Sequence, residues 1–330
     1  MHKRPRNILR NLVFSGIFLL AGCSSNDAYI KERILNIENK SYSVQNNKIK
    51  QTSNQCLELK FGIASDIHNK VRKARKIADK FKQENIDYVL IAGDMVKTLP
   101  MPFNFSEKTQ IKNSLIPFLE IDKPVLVIAG NHETKNNYFS EMKKLSKDYD
   151  NLFDLATLNY VDLKGVNIFG VSGWDKFFPF GCFSVKKQAR SIEEEVFNLD
   201  EDPVLMLSHM PARFNHFGAV DSVYEIKTKD GKIIKSRHRG EDIYYKQGGK
   251  RINHRNEGIE ELTELIHKGV DFSVSGHYHL NQGGNDFYNN IPGDRFVYKL
   301  FINPGAAKFD YASILTIKGD KAKYHPLKIE

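Results

Sequence analysis

From residue 57 onward the chain alternates between short apolar runs and amphipathic stretches. Leu57, Leu59, Phe61 and Ile63 alternate with Glu58 and Lys60 before the run closes on Ala64, a period-two pattern that predicts a strand over 57–64. Residues 70–83 follow with Val71, Ala74, Ile77, Ala78 and Phe81 at helical spacing, which predicts a helix with one buried face. Residues 88–92 and 124–129 are wholly apolar and are expected as strands covered on both faces, with a helix over 107–119 between them. Further strands are expected at 166–171, 204–207, 272–274, 297–302, 313–317 and 321–325, the last two joined at Gly319-Asp320. Helices are expected at 139–147, 186–197 and 259–268. Strand and helix alternating at this spacing predict an α/β fold with parallel strands, and residues 57–330 suffice for one domain.

The first 56 residues read differently. Lys3, Arg4, Arg6 and Arg10 precede an apolar run over 12–21, with no acidic residue before Cys23. That order is an export signal, and the run is shorter than the roughly 20 residues a membrane-spanning helix needs. It closes in Leu20-Ala21-Gly22-Cys23, which resembles the lipobox of bacterial lipoproteins. The resemblance implies removal of residues 1–22, acylation of Cys23, and a protein held at the extracytoplasmic face of a bacterial membrane. Residues 23–56 are polar and are expected as a tether, with at most a short helix or edge strand within 36–54. Once Cys23 is acylated, Cys56 and Cys182 remain, and a disulfide and two free thiols both stay open.

The candidate chemistry lies where the apolar runs end. Asp66 and His68 follow the first strand, Asp94 the second, Asn131 and His132 the third, His209 the run over 204–207, and His277 and His279 the run over 272–274. Ligand sites in open α/β sheets form at the carboxyl ends of strands. Imidazole and carboxylate donors together suit Mn, Fe or Zn. In Asp66-x-His68 and His277-x-His279, extended backbone would turn alternate side chains the same way. Gly93, Gly130 and Gly276 permit sharp turns beside a crowded site.

The ordered set Asp66-x-His68, Gly93-Asp94, Gly130-Asn131-His132-Glu133, His209 and Gly276-His277-x-His279 resembles the calcineurin-like metallophosphoesterase family. The resemblance implies a two-sheet β-sandwich flanked by helices, four layers in all, with two divalent transition-metal ions. One ion would take Asp66, His68 and His279, the other Asn131, His209 and His277, with Asp94 bridging. His132 would be the catalytic residue beside the scissile phosphate. Two positions depart from the family pattern. Lys97 stands where a second Asp is common, and Tyr278 where a small residue is common, the latter expected to pack.

Charge adds one feature. The whole chain carries +9, from 49 basic and 40 acidic residues. Setting aside the four basic residues of the signal leaves an excess of five, and residues 221–256 hold ten Lys or Arg against five Asp or Glu. The mature excess therefore sits in that one insertion, expected as one or two hairpins. Arg237, His238, Arg239, Arg251 and His254 are its candidate substrate contacts, on a basic flap suited to a polyanionic phosphoester or to lipid headgroups; a solvated surface excursion is the competing reading. Hydrolysis of phosphodiesters is favoured over phosphomonoesters. A nuclease is disfavoured, because only Tyr244 and Tyr245 interleave aromatics with the basic residues. The contrasting class is a silent fold serving as a scaffold.

Overall fold

The computed structural model describes residues 33–37, 40–45, 47–52, 58–97, 104–158, 160–163, 165–173, 183–196, 202–215, 219–236, 250–279, 282–286, 290 and 292–329. The signal segment, Cys23, Cys56, Cys182 and residues 237–249 lie outside the described residues.

Strands β1 (Arg33–Ile37), β2 (Lys40–Gln45) and β3 (Lys48–Gln51) form an antiparallel meander. This stretch is part of the folded domain, where its polar composition pointed to a tether. Leu35 and Ile37, Tyr42 and Val44, and Ile49 alternate with polar residues, and all five are buried in the central core. Tyr42 is fully buried, and its hydroxyl lies 3.3 Å from that of Tyr88, which donates to Gln51 at 2.8 Å.

One sheet takes β4 (Leu59–Ala64), β5 (Tyr88–Ala92), β6 (Val125–Ile128) and β7 (Leu152–Asp154), all parallel. The second joins β1–β3 to β8 (Tyr160–Asp162), β9 (Asn167–Val171) and β10 (Val204–Ser208). A separate three-stranded sheet is made by β11 (Ser222–Lys227), β12 (Ile233–Ser236) and β13 (Lys250–Asn256), with β11 central. The second sheet then continues through β14 (Phe272–Ser275), β16 (Leu300–Asn303) and, at its edge, β15 (Gly283–Asn285). Finally β17 (Tyr311–Lys318) and β18 (Lys321–Lys328) extend the first sheet beside β4.

The first sheet has six strands and the second nine. Period-two alternation assigns each residue to a layer. Tyr88, Leu90 and Ala92 of β5 face the core between the sheets, together with Leu205, Leu207, Phe272, Val274, Leu300 and Ile302 of the opposite sheet. Val89 and Ile91 point outward into a second core with α1 (Val71–Gln83), α2 (Asn104–Leu119) and α3 (Lys135–Asp148). On the far side, Phe169, Val171, Val204 and Met206 meet α4 (Val185–Val196) and α5 (Glu260–His267). Helices, sheet, sheet, helices is the four-layer sandwich that the resemblance implied. Among the described residues no helix is long and apolar enough to cross a membrane.

The insertion keeps its first hairpin: Thr228 N donates to Lys232 O at 2.9 Å, and Gly231 takes φ +82° at the turn. Its base is held by Asp221, fully buried, whose carboxylate accepts from Phe214 N, Gly258 N and Asn256 Nδ2 at 2.8–3.2 Å. Burial pushes that carboxyl up to about 6.

Because Tyr42 fills core volume, Tyr42→Ala is expected to lower unfolding stability by about 3–5 kcal/mol in urea titrations. A residue on a solvated tether would stay within about 0.5 kcal/mol.

Candidate metal centre

Both sheets place parallel strands in the middle, so the loops after β4, β5, β6, β10 and β14 open on one edge of the sandwich. The edge is closed by contacts across the layers. His209, after β10, aims Nδ1 at Ala92 O of β5 at 2.9 Å, and His277 N, after β14, donates to Asp66 Oδ2 at 2.9 Å.

The loop backbone differs from the extended form expected of Asp-x-His. Asp66, His68, Asp94 and His277 take φ of +53°, +48°, +54° and +64°. These are left-handed values that cost a non-glycine residue energy and persist only where surroundings over-determine them. Here they do. Asp66 N donates to Gly93 O and His68 N to Asp94 O, each at 3.0 Å. Convergence of Asp66 with His68 therefore comes from a tight turn laced to the β5 loop, not from strand alternation.

Two groups of donors result. Asp66, His68, Asp94 and His279 form one, and Asp94, His209 and His277 the other, with the ligand atoms of each group within 4.8 Å of one another. Asn131 joins the second through Oδ1, 2.8 Å from His209 Nε2 and 3.0 Å from His277 Nδ1. Asp94 belongs to both: Oδ2 lies 3.8 Å from His68 Nε2, and Oδ1 lies 3.5 Å from His209 Nε2.

Proton positions show what these groups lack. A carbonyl only accepts, so His68 Nδ1 must donate to Val96 O at 2.9 Å, as His209 Nδ1 does to Ala92 O. In a neutral imidazole this leaves Nε2 a bare lone pair. His68 is neutral: burial, against the opposing charge of Asp66, draws its pKa down to about 3. Its Nε2 nevertheless sits 3.2 Å from His279 Nε2. The buried oxygens Asp66 Oδ1 and Asp94 Oδ2 receive no well-directed hydrogen bond. Lone pairs that converge without protons between them fit cations, and the Nδ1–carbonyl bonds are the orienting contacts metal-binding histidines make.

Charge is stored accordingly. Burial acts to raise the Asp66 carboxyl, but the imidazoles of His279, His209 and His68 around it outweigh this and hold Asp66 below the usual carboxylate range. Asp94 is driven well above that range by burial and by the negative charge of Asp66. Divalent cations remove that penalty. His132 stands at the rim, Nε2 3.6 Å from Asp94 Oδ2, its backbone N donating to Asp94 Oδ1 at 3.0 Å. Burial, more than any neighbouring group, draws it down to about 4.

Three supporting residues had no role in the sequence reading. Glu133, buried, accepts from Gly130 N (2.6 Å), Val96 N (2.9 Å) and Asp94 N (3.2 Å), which ties the β5 and β6 loops together. Burial and the neighbouring Asp94 push it up to about 8. Asn303, at the end of β16, donates to Gly276 O and Tyr278 O and so fixes the loop bearing His277 and His279. Glu107 accepts from Thr134 N and Asn137 Nδ2 at 2.6 Å, satisfying donors at the start of α3, just after His132. The signal for Asn303 was present in outline, since Asn303-Pro304-Gly305 follows a strand as the other motifs do. Of the departures, Lys97 is accommodated because Gln110 Oε1 holds its backbone N at 2.9 Å, and Tyr278 is buried.

Of the flap residues, Arg237, His238 and Arg239 lie outside the described residues. Arg251 and His254 fall on β13, paired with Ile226 and Tyr224, and their side chains also lie outside the described set.

A buried carboxylate shared between two imidazole-rich groups, at the strand ends of a four-layer sandwich, offers candidate donors for two divalent cations. The family model described as calcineurin-like phosphoesterase matches residues 59–281, and the chain belongs to that family. No curated protein matches it. Among solved structures, the TT1561 protein of Thermus thermophilus is similar at a TM-score of 0.56 and 11% identity, covering 82% of this chain and 99% of that one. A dimetal phosphatase from Danio rerio is similar at a TM-score of 0.47 and 10% identity, covering 82% and 99%. Similarity at these identities concerns the fold.

Close packing makes Gly130 a test of the centre. A Cβ there would lie 2.1 Å from Asp94 Oδ1 and 2.4 Å from Asp94 N. Gly130→Ala is expected to displace Asp94 and weaken divalent-metal affinity at least tenfold, read by competition with a chromophoric chelator, with the circular-dichroism spectrum kept.

Proposed function

We propose that the chain is a two-metal phosphoester hydrolase that acts outside the cytoplasm and favours phosphodiesters over phosphomonoesters. The observation that carries the reading is Asp94, whose two oxygens face two separate donor groups. Asp66, His68 and His279 would hold one divalent ion and Asn131, His209 and His277 the other. The ions, when bound, supply Lewis acidity toward phosphoryl oxygens and an activated water for in-line attack.

The remaining work falls to the chain. Asp94, held by the His132 amide, keeps both donor groups in register. His68 and His209, each locked through Nδ1, present fixed lone pairs and need no reorganisation during the reaction. His132, neutral near pH 7, offers an imidazole N–H to the oxygen of the departing alcohol, and added positive charge nearby only reinforces its neutral form. The side chains of His279 and His132 are 31% and 19% exposed, so the mouth is open, which leaves room for the second arm of a diester.

The contrasting reading, a silent scaffold, is disfavoured because such a chain is free to lose ligands, and none of the seven is missing. Metal analysis combined with hydrolysis of bis(p-nitrophenyl) phosphate and p-nitrophenyl phosphate separates the two. His132→Ala is expected to keep both metals and lose about 10²–10⁴-fold in kcat, whereas Asp94→Asn is expected to lose metal at both positions. Full activity in either variant would remove these roles.

The export reading rests on the basic, apolar and Cys23 order of the N-terminus. In detergent phase separation of bacterial membranes the native chain is expected in the detergent phase and Cys23→Ala in the aqueous phase. An aqueous native chain would refute the anchor.

A further inference from the structure

The series of strand ends around the centre has a sixth member. β16 runs parallel to β14, and beyond Asn303 the chain turns through Gly305, at φ +74°, into Lys308 and Phe309. Three backbone hydrogen bonds lash this turn to the ligand loops: Ala306 N to His279 O (2.9 Å), Ala307 N to Ser65 O (2.8 Å) and Lys308 N to Asp66 O (3.3 Å). Its side chains are therefore carried by the same framework as Asp66 and His279.

Lys308 is half-buried, with Nζ 3.4 Å from His279 Nε2. Among the described residues no carboxylate lies within ion-pairing distance of it, although Lys73 nearby is paired with Asp310 at 2.6 Å. An ammonium drawn partly out of water is costly; the charges of Asp66 and Asp94 favour it from beyond ion-pairing distance, and the cost falls further when an anion arrives beside it. Phe309 next to it is 43% exposed. Its ring continues a row formed by His132, His68 and His279, with successive centroids 4.7, 5.0 and 6.3 Å apart. Lys308 Nζ lies 5.3 Å from the Phe309 centroid, so a cation and an aromatic face stand side by side at the mouth.

We propose that Lys308 and Phe309 form a substrate subsite, in which Lys308 takes a phosphoryl oxygen and Phe309 stacks on a flat aromatic ring in the substrate's ester arm, a nucleobase or a ring like it. An aromatic face stacks on any base irrespective of sequence, and a fixed ammonium beside the ring suits the adjoining phosphate. The proposal rests on the phosphoesterase reading and names the substrate class for it.

Two pairs of substrates, matched in ester class, test it: adenosine 5′-monophosphate against glycerol 2-phosphate, and adenylyl-adenosine against glycerophosphocholine. Within the pair that is hydrolysed, Phe309→Ala is expected to raise KM about tenfold for the adenosine member and leave the glycerol member within twofold. Lys308→Ala is expected to raise KM about tenfold for both members and to weaken inorganic phosphate binding about tenfold by calorimetry. Lys308→Arg should restore most of that affinity, and metal content should stay unchanged in all three variants. Unchanged phosphate affinity and KM in Lys308→Ala, or equal KM effects of Phe309→Ala on both members, would overturn the subsite. A native chain that holds both metals yet hydrolyses none of the four esters would overturn the phosphoesterase reading instead, while the phosphate titration still reports on Lys308.

Discussion

The structure depends on one buried carboxylate. Asp94 is fully enclosed, faces Asp66 and three imidazoles, and is driven well above its ordinary pKa by burial and by its acidic neighbour. Such a group is tolerable only if it is neutralised, by cations or by a proton. The surrounding hydrogen bonds point to the first. Glu133 holds the Asp94 backbone, the His132 amide holds Oδ1, and Oδ2 is left directed at imidazole nitrogens.

That arrangement needs loops too tight for ordinary backbone. Four of the proposed ligands occupy left-handed φ, and Gly93, at φ +82°, lies so close to Gly130 that a Cβ would come within 2.6 Å of it. The strain is borne by two sheets whose parallel strands are buried on both faces. Their core side chains fix the strand ends, and the backbone bonds from Asp66 and His68 to the β5 loop fix the turns. Asn303 does the same for the last loop, and the turn beyond it carries Lys308 and Phe309 to the mouth.

The domain is also larger than its apolar runs announce. β1–β3 extend the nine-stranded sheet and bury Tyr42 against Phe153, ring to ring at 5.4 Å. The described parts of the basic insertion likewise form a small sheet of their own, anchored by Asp221.

Much of this was legible along the chain. Wholly apolar runs such as 88–92 and 124–129 required strands covered on both faces, and polar residues of ligand type directly after such runs required a site at their carboxyl ends. Period and composition carry that information because burial acts residue by residue. Short strands of three residues, β7, β8 and β15, carry too little period to register, and the polar half of β1–β3 masked its alternation. The left-handed turns, the clamp by Glu133 and the sharing of Asp94 between two donor groups were decided only by tertiary structure. Each depends on contacts between loops far apart in sequence, such as Asp66 with His277 and Ala92 with His209, and no local pattern encodes a distance across the sandwich.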